Sequence, residues 1–507
     1  MLVLLVGAVG DAAERSLVRV GRAPEIDRTA AIAAGVPVVA EMNECFLAVG
    51  DADRVVAAAA ALGVTAEVID ASIEGMSYAL ISSVPGEDDE AAMATCGQHV
   101  WSGQGWSIVK APVIDPRRCS SPSWFWRPLR LEPMRPAVAP PEEYAGPIER
   151  LQVDPLVQDM VTSTNGALVV GTWTNLVSSA STRHSSRPGC TVAAGHVHAL
   201  FESLGLQTEY QQYRPDWAPN VIGTLEGVTH PDQVYIVIGH LDDLPDSSIA
   251  PGANDNASGS AMVMSAAQVM SRYRFASTIK FLAVTGEEQG LVGSYYYAGD
   301  AAARGENILG VLNADMNGWE GDGSPAQEDL DLPYNSDSAW LATLFAQAAA
   351  DYGTGCPVNL LLCPSMAYSD HWPFWEQGWA GFLGITDDQN LCGSGGSYPY
   401  YHTSDDTIAN CGDPAFYVSS VKAYVATAGH LADPLCRMPD PPTGLVAAAD
   451  GPNRIALDWD DPAETLTFEI FRAPGGCAGP LDFYKIGESS SSSFIDTTAS
   501  GGFAYAY

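Results

Sequence analysis

Through the middle of the chain, continuous apolar runs alternate with stretches whose apolar positions recur every three or four residues. VYIVIGHLDD (234–243), IKFLAVTGEE (279–288), ILGVLNADMNGW (308–319) and WAGFLGITD (379–387) each read as a buried strand running into polar residues. GCTVAAGHVHALFESLG (189–205), SGSAMVMSAAQVMSRY (258–273) and LATLFAQAAADYG (341–353) have helical spacing. This alternation predicts an α/β domain over residues 147–437, a mostly parallel sheet with helices on both faces.

The flanks carry other patterns. CFLAV (45–49), TAEVI (65–69), YALISS (78–83) and WSIVKA (106–111) read as strands and DADRVVAAAAALG (51–63) as a helix, a small α+β domain over residues 1–113. Its outline resembles the prodomains that precede secreted proteases, and its position suggests that it inhibits by covering a sheet edge. Residues 114–146 are rich in proline and arginine (WFWRPLRLEPMRPAVAPPEEY), which predicts an extended linker whose Trp124, Phe125 and Trp126 pack on a neighbour. Beyond PDPP (439–442), residues 440–507 alternate as β-strands, with Trp459 in the second of them. This segment resembles a fibronectin type III domain, a truncated β-sandwich lacking its closing strand.

Composition narrows the classes. With 507 residues, 47% hydrophobic and 17% charged, the chain is globular and long enough for several domains. Its 61 acidic against 24 basic residues, net −37, would repel nucleic acid, so no nucleic-acid partner is expected. No run reaches the length of a membrane-spanning helix. Ten cysteines without a CxxC pair argue against zinc knuckles. Cys356 with Cys363, and Cys392 with Cys411, sit at loop-closing spacings and predict disulfides in an oxidising compartment. The opening MLVLLVGAVGDAAER is apolar but lacks a basic start, an incomplete export signal. A secreted or periplasmic location is the expectation; oligomeric state is left open.

The chemistry gathers where the predicted strands end. VIGHLDD ends in His240 and Asp242, PGANDNASG sets Asp255 in a turn before a helix, TGEE ends in Glu287 and Glu288, LNADMNG places Asp315, and YYHTSDDT supplies His402. In an open α/β sheet the strand ends share one edge, so residues remote in sequence meet there. Adjacent buried glutamates repel unless a cation lies beside them. Two histidines with several carboxylates suit zinc, and a carboxylate held between two ions makes a co-catalytic pair. Singly, each residue has a plainer reading: a core histidine, a solvated helix start, a helix cap at Asp255.

In this order and at these gaps, HLD, PGANDNASG, EEQGLVGS, NADM and YHTSDDT resemble the secreted co-catalytic zinc aminopeptidases of the bacterial leucyl aminopeptidase type, over roughly residues 150–430. The resemblance implies the zinc exopeptidase fold and two zinc ions per chain. It implies that Asp255 bridges them, that His240 and Asp315 complete one site, and that Glu288 and His402 complete the other. Glu287 would be the general base, and Asp242 would orient the His240 imidazole. The substrates implied are peptides with a free N-terminus. Some relatives carry a tyrosine three residues before SDH; here Met366 stands there and Tyr368 follows two residues later, a candidate for the same role. Asp370 and His371 read as structural. Two other functions stay open: a carboxypeptidase of the same superfamily, which shares the ligands, and a non-catalytic binding or adhesion protein.

Overall fold

A computed structural model describes residues 15–83, 90–103, 106–114, 124–148, 150–321, 329–386, 392, 398–438, 443–460, 467–475, 483–501 and 503–507. The apolar N-terminal run considered as an export signal lies almost wholly outside them. The chain divides into a large unit ending at Leu435 and a small one from Cys436 to Tyr507.

The large unit centres on an eight-stranded sheet. Its strands are β1 (Gln207–Gln211), β2 (Asn220–Leu225), β3 (His230–His240), β4 (Ser277–Val284), β5 (Asn307–Ala314), β6 (Leu330–Tyr334), β7 (Val358–Leu362) and β8 (Gly381–Gly384). They lie in the order β7-β6-β8-β5-β3-β4-β2-β1. The middle four, β8-β5-β3-β4, are parallel, while β2 and β6 join them antiparallel, so the sheet is mixed about a parallel centre.

The alternation of side chains along a strand shows in the two cores. Tyr235 and Val237 of β3, with Ile279, Phe281 and Ala283 of β4, face the helices Gly259–Met270 and Pro414–Ala432. Ile236 and Ile238, with Leu282 and Val284, face Tyr297, Ala298 and Ala301 of the helix Val292–Arg304. Both faces are covered, which is why these strands read as unbroken apolar runs. The helix Gly259–Met270 comes close to β3 at Gly239, where an added Cβ would stand 2.8 Å from the Gly259 carbonyl carbon. Only glycine permits that approach, and it sets the start of the helix beside the strand end that carries His240.

The N-terminal domain holds two four-stranded antiparallel sheets. The first orders Val38–Glu41, Cys45–Asp51, Arg15–Gly21 and Ala66–Asp70; the second orders Gln98–Gly103, Trp106–Ala111, Ser77–Ser83 and Trp124–Leu129. The helix Ala52–Ala61 is capped by the Asp51 carboxylate, which accepts the Arg54 N–H, and it buries Val55 and Ala59 one turn apart. The expected linker is thus corrected in part. Trp124–Leu129 is an edge strand, a place where the missing N–H of Pro128 costs no ladder bond. Trp126 packs against Ala79, Ile81 and Val109, whereas the side chains of Trp124 and Phe125 lie outside the described residues.

The disulfide expectation is overturned. Cys363 bonds to Cys392, with Cα atoms 5.9 Å apart, while Cys356 and Cys411 are free and buried. Cys363 and Cys392 meet beside Met316 and Trp319, a tertiary contact that sequence spacing does not carry. Cys96 is also disulfide-bonded. Among the described residues no helix is long and apolar enough to cross a membrane.

The small unit, by itself, has two three-stranded antiparallel sheets, with Leu457, Trp459, Phe468 and Ile470 between them. Arg472 reaches from one sheet to Asp496 of the other, a buried ion pair at 2.7 Å.

Candidate metal centre

β3 ends at His240, with 1% of its surface exposed, and β4 ends at Val284 just before the turn holding Glu287 and Glu288. β5 ends one residue before Asp315, and Asp255 precedes the helix Gly259–Met270. His402 has a left-handed backbone conformation, φ 55°. All five expected ligands meet. His240 Nε2 is 3.2 Å from Asp315 Oδ1 and 3.4 Å from Asp255 Oδ1. His402 Nε2 is 3.2 Å from Asp255 Oδ2 and 3.0 Å from Glu288 Oε2. Asp255 therefore shows one oxygen to each histidine, the disposition of a bridging carboxylate.

Potential ligand atoms within 4.8 Å of one another fall into the sets His240–Asp255–Asp315 and Asp255–Glu288–His402, the two triads expected. A third set, His240–Glu287–Glu288, places Glu287 within ligand reach as well, its Oε2 lying 3.9 Å from His240 Nε2.

The electrostatics ask for cations. Burial, reinforced by Glu288, Asp315 and Asp370, pushes the Glu287 carboxyl far above its usual range; burial likewise raises Glu288 to about 8. Burial works against charge on both imidazoles, yet Asp315 and Glu287 hold His240 well above its ordinary value, and Glu288 with Asp255 lifts His402 to about 10. Such a cluster keeps protons that zinc would replace. Glu288 Oε1 is buried and has no hydrogen-bond partner among the described residues, a lone pair facing nothing else that would satisfy it. Imidazole and carboxylate are zinc's usual nitrogen and oxygen ligands, so the donor set fits that ion.

A surrounding scaffold holds the ligands. Ser369 Oγ donates to Asp315 Oδ2 at 2.7 Å. Asp406 accepts the N–H groups of Asn254 and Asp255 and the Tyr398 hydroxyl. Buried Arg183 pairs with Asp243 and donates to the carbonyls of Leu241, Pro251 and Gly252, pinning the segment between His240 and Asp255. Asp242 is placed differently from expectation. The neighbour nearest His240 Nδ1 is the Asp242 main-chain carbonyl at 3.1 Å, with its carboxylate at 3.7 Å. That carboxylate accepts the N–H groups of Glu287 and Glu288, each at 3.3 Å, and so braces the turn that carries both glutamates as well.

Tyr368 stacks flat on Trp106 of the N-terminal domain, ring centres 5.3 Å apart. Tyr401 stacks on His402 at 3.7 Å, and burial, then the charges of Asp255, Glu288, Glu287 and Asp315, push its hydroxyl well above the ordinary tyrosine value. Sequence reasoning missed Tyr401, Ser369, Asp406 and Arg183. The only signal was that each lies inside or beside a motif already singled out.

The fold is an α/β sheet with helices on both faces, and its strand ends bring together two overlapping histidine–carboxylate triads. Residues 220–422 match the model of Peptidase family M28. A probable zinc metalloprotease of Leptosphaeria maculans is 36% identical over 203 residues, 34% of this chain and 47% of that protein. A probable zinc metalloprotease of Pyricularia oryzae is 44% identical over 115 residues, 22% of this chain and 23% of the relative. The chain thus spans under half the length of these curated relatives. The crystal structure of Legionella pneumophila LapA aminopeptidase superposes with a TM-score of 0.55 at 19% identity, covering 71% of this chain and 99% of that one, a likeness of fold.

Proposed function

We propose that the chain is a two-zinc aminopeptidase that removes N-terminal residues from peptides. The observation that carries this reading is Asp255, whose two oxygens each face one histidine at the head of a separate ligand triad. His240, Asp255 and Asp315 would hold one ion, and Asp255, Glu288 and His402 the other. When bound, such ions supply Lewis-acid polarisation of the scissile carbonyl and lower the pKa of water toward neutrality. Glu287 takes the proton from the attacking water and returns it to the departing amine. Tyr401, whose ring stacks on that of His402, takes the place of Tyr368 as the tyrosine that donates its hydroxyl to the oxygen that becomes negative in the tetrahedral intermediate.

An amino-terminal substrate suits this site. The cluster is rich in carboxylates that can receive an ammonium group. The arginine built into it, Arg183, is fully buried against Asp243 and three carbonyls, so it is not presented to the free carboxylate a carboxypeptidase must bind. The disulfide Cys363–Cys392 supports an exported protein.

The test is hydrolysis of leucyl and other aminoacyl anilides beside N-blocked and C-blocked peptides, before and after chelation. The expected result is cleavage of free-amine substrates only, lost with the metal and restored by zinc. Activity that persists in fully metal-free protein would sink the reading. Cleavage of N-blocked peptides would favour the carboxypeptidase, and no turnover with zinc bound would favour a binding protein.

A further inference from the structure

We propose that the N-terminal domain is a resident part of the peptidase that holds its catalytic turn in place, rather than a cover whose removal releases activity. The first observation is the core they share. Leu291, Tyr295, Ala367, Trp372 and Trp375 of the peptidase domain are buried in one cluster with Leu17, Phe46, Leu80 and Ile108 of the N-terminal domain. A continuous apolar core of this kind marks an obligate interface, whereas domains that separate meet through smaller, more polar surfaces.

Two loops of the active site meet this interface. Glu287 begins a turn in which its carbonyl accepts the N–H groups of Gly290 and Leu291, and Leu291 is 3% exposed. A Cβ built on Gly290 would touch Pro128 and Trp126 of the edge strand Trp124–Leu129, at 3.6 and 3.8 Å. That strand therefore runs directly against the turn that carries the proposed base. Between its neighbours, Arg127 is buried with its guanidinium 4.0 Å from the Trp372 ring centre, and its charge acts on Tyr295 and Glu376.

The second loop spans Ser365 to His371. Ser365 Oγ donates to Asn43, Tyr368 stacks on Trp106, and Ser369 donates to the ligand Asp315. One face of this loop thus touches the N-terminal domain and the other touches a metal ligand. Farther out, Arg28 pairs with Asp337 at 2.6 Å and donates to the Trp375 carbonyl, both contacts in the interior. Stripping the domain away would bare the apolar core and leave the turn and the loop without a wall.

This inference rests on the peptidase reading, and the test separates the two. A specific protease site placed at exposed Ala145–Gly146 allows the zinc-loaded full chain to be cut without altering the core. The expected result is that the pieces co-elute with activity within twofold of the uncut chain. Parting them in mild urea should cost at least tenfold in turnover, recovered when the N-terminal piece is returned. A released peptidase piece as active as the uncut chain, or more active, would overturn the inference. An uncut, zinc-loaded chain with no activity would instead defeat the peptidase reading.

Arg127→Met adds a second readout for Arg127 as a positioning residue. It should lower kcat at least tenfold with KM within threefold and zinc content unchanged. A folded variant with unaltered kcat would count against the role, and the cut chain decides should the variant fail to fold.

Discussion

Asp406 accepts the main-chain N–H of Asp255 at 2.9 Å, across 151 residues of sequence. The same carboxylate accepts the Asn254 N–H at 2.8 Å and the Tyr398 hydroxyl at 2.7 Å. The residue that faces both histidines is thus held from behind by a second, buried carboxylate. Replacing Asp406 by asparagine keeps the shape but turns one acceptor into a donor facing a backbone N–H. Groups that hold ligands in this way typically contribute about 10–100-fold in metal affinity or activity. Asp406→Asn is expected to weaken zinc binding by that order, read by competition with a fluorescent chelator. Affinity equal to the native protein would show that Asp255 keeps its place without this brace.

The two adjacent glutamates should separate cleanly. Glu288 Oε2 lies 3.0 Å from His402 Nε2, inside one triad, whereas Glu287 Oε2 is 3.9 Å from its nearest imidazole nitrogen. Glu287→Gln is expected to lower kcat by roughly 10²–10⁴-fold, the usual worth of a general base, with two zinc ions retained. Glu288→Gln is expected to lose one of the two. Metal analysis beside kinetics checks both, and a zinc deficit in Glu287→Gln would move Glu287 into the ligand set His240–Glu287–Glu288.

Much of this site was legible before any coordinates. Candidate ligands on parallel strands sit at strand ends, and an apolar run that leads into a histidine or a carboxylate marks such an end directly, as at His240 and Asp315. The mixed edges of the sheet were less visible, because β2 and β6 carry the same apolar residues whichever way they run. Disulfide partners were misread because Cys363 and Cys392 meet through tertiary structure. Asp406 and Ser369 act through hydrogen bonds to groups 151 and 54 residues away, and no local pattern encodes such a bond. The strand Trp124–Leu129 was hidden by Pro128, a residue that excludes central strands but not edges.

Tyrosine roles follow from position. Tyr368 lies against Trp106, while the Tyr401 hydroxyl feels Asp255, Glu288, Glu287 and Asp315. Tyr401→Phe removes the donor proposed for the developing negative charge, an interaction worth about 10²–10³-fold in comparable sites. It is expected to lower kcat by that order with little change in KM. Tyr368→Phe keeps the stacking ring and is expected to stay within threefold. A larger loss at Tyr368 than at Tyr401 would return the role to Tyr368, two residues after Met366 at the family's tyrosine position.

His371 gives the fold an acid limit. The ring is buried, and its Nε2 lies 2.8 Å from the Met366 carbonyl, so Nε2–H donates and Nδ1 carries no proton. Nδ1 is itself buried without a hydrogen-bond partner among the described residues, so protonating it would place an unpaired charged donor in the interior. Burial therefore drives the folded pKa down to about 3, from 6.5 in an exposed chain. Below pH 6.5 the unfolded chain takes up a proton that the folded one refuses. Stability from this residue is accordingly intact above pH 6.5 and falls as the pH drops toward 3, by up to about 1.4 kcal/mol per pH unit. His371→Asn can still offer an N–H to Met366 but does not titrate. At pH 8 it is expected to be less stable by about 1–3 kcal/mol, the usual cost of imperfect core packing. Between pH 6.5 and 4.5 its stability should decline less steeply than that of the native protein. Urea unfolding at a series of pH values measures both slopes, and parallel curves would show that His371 is not the group that sets the limit.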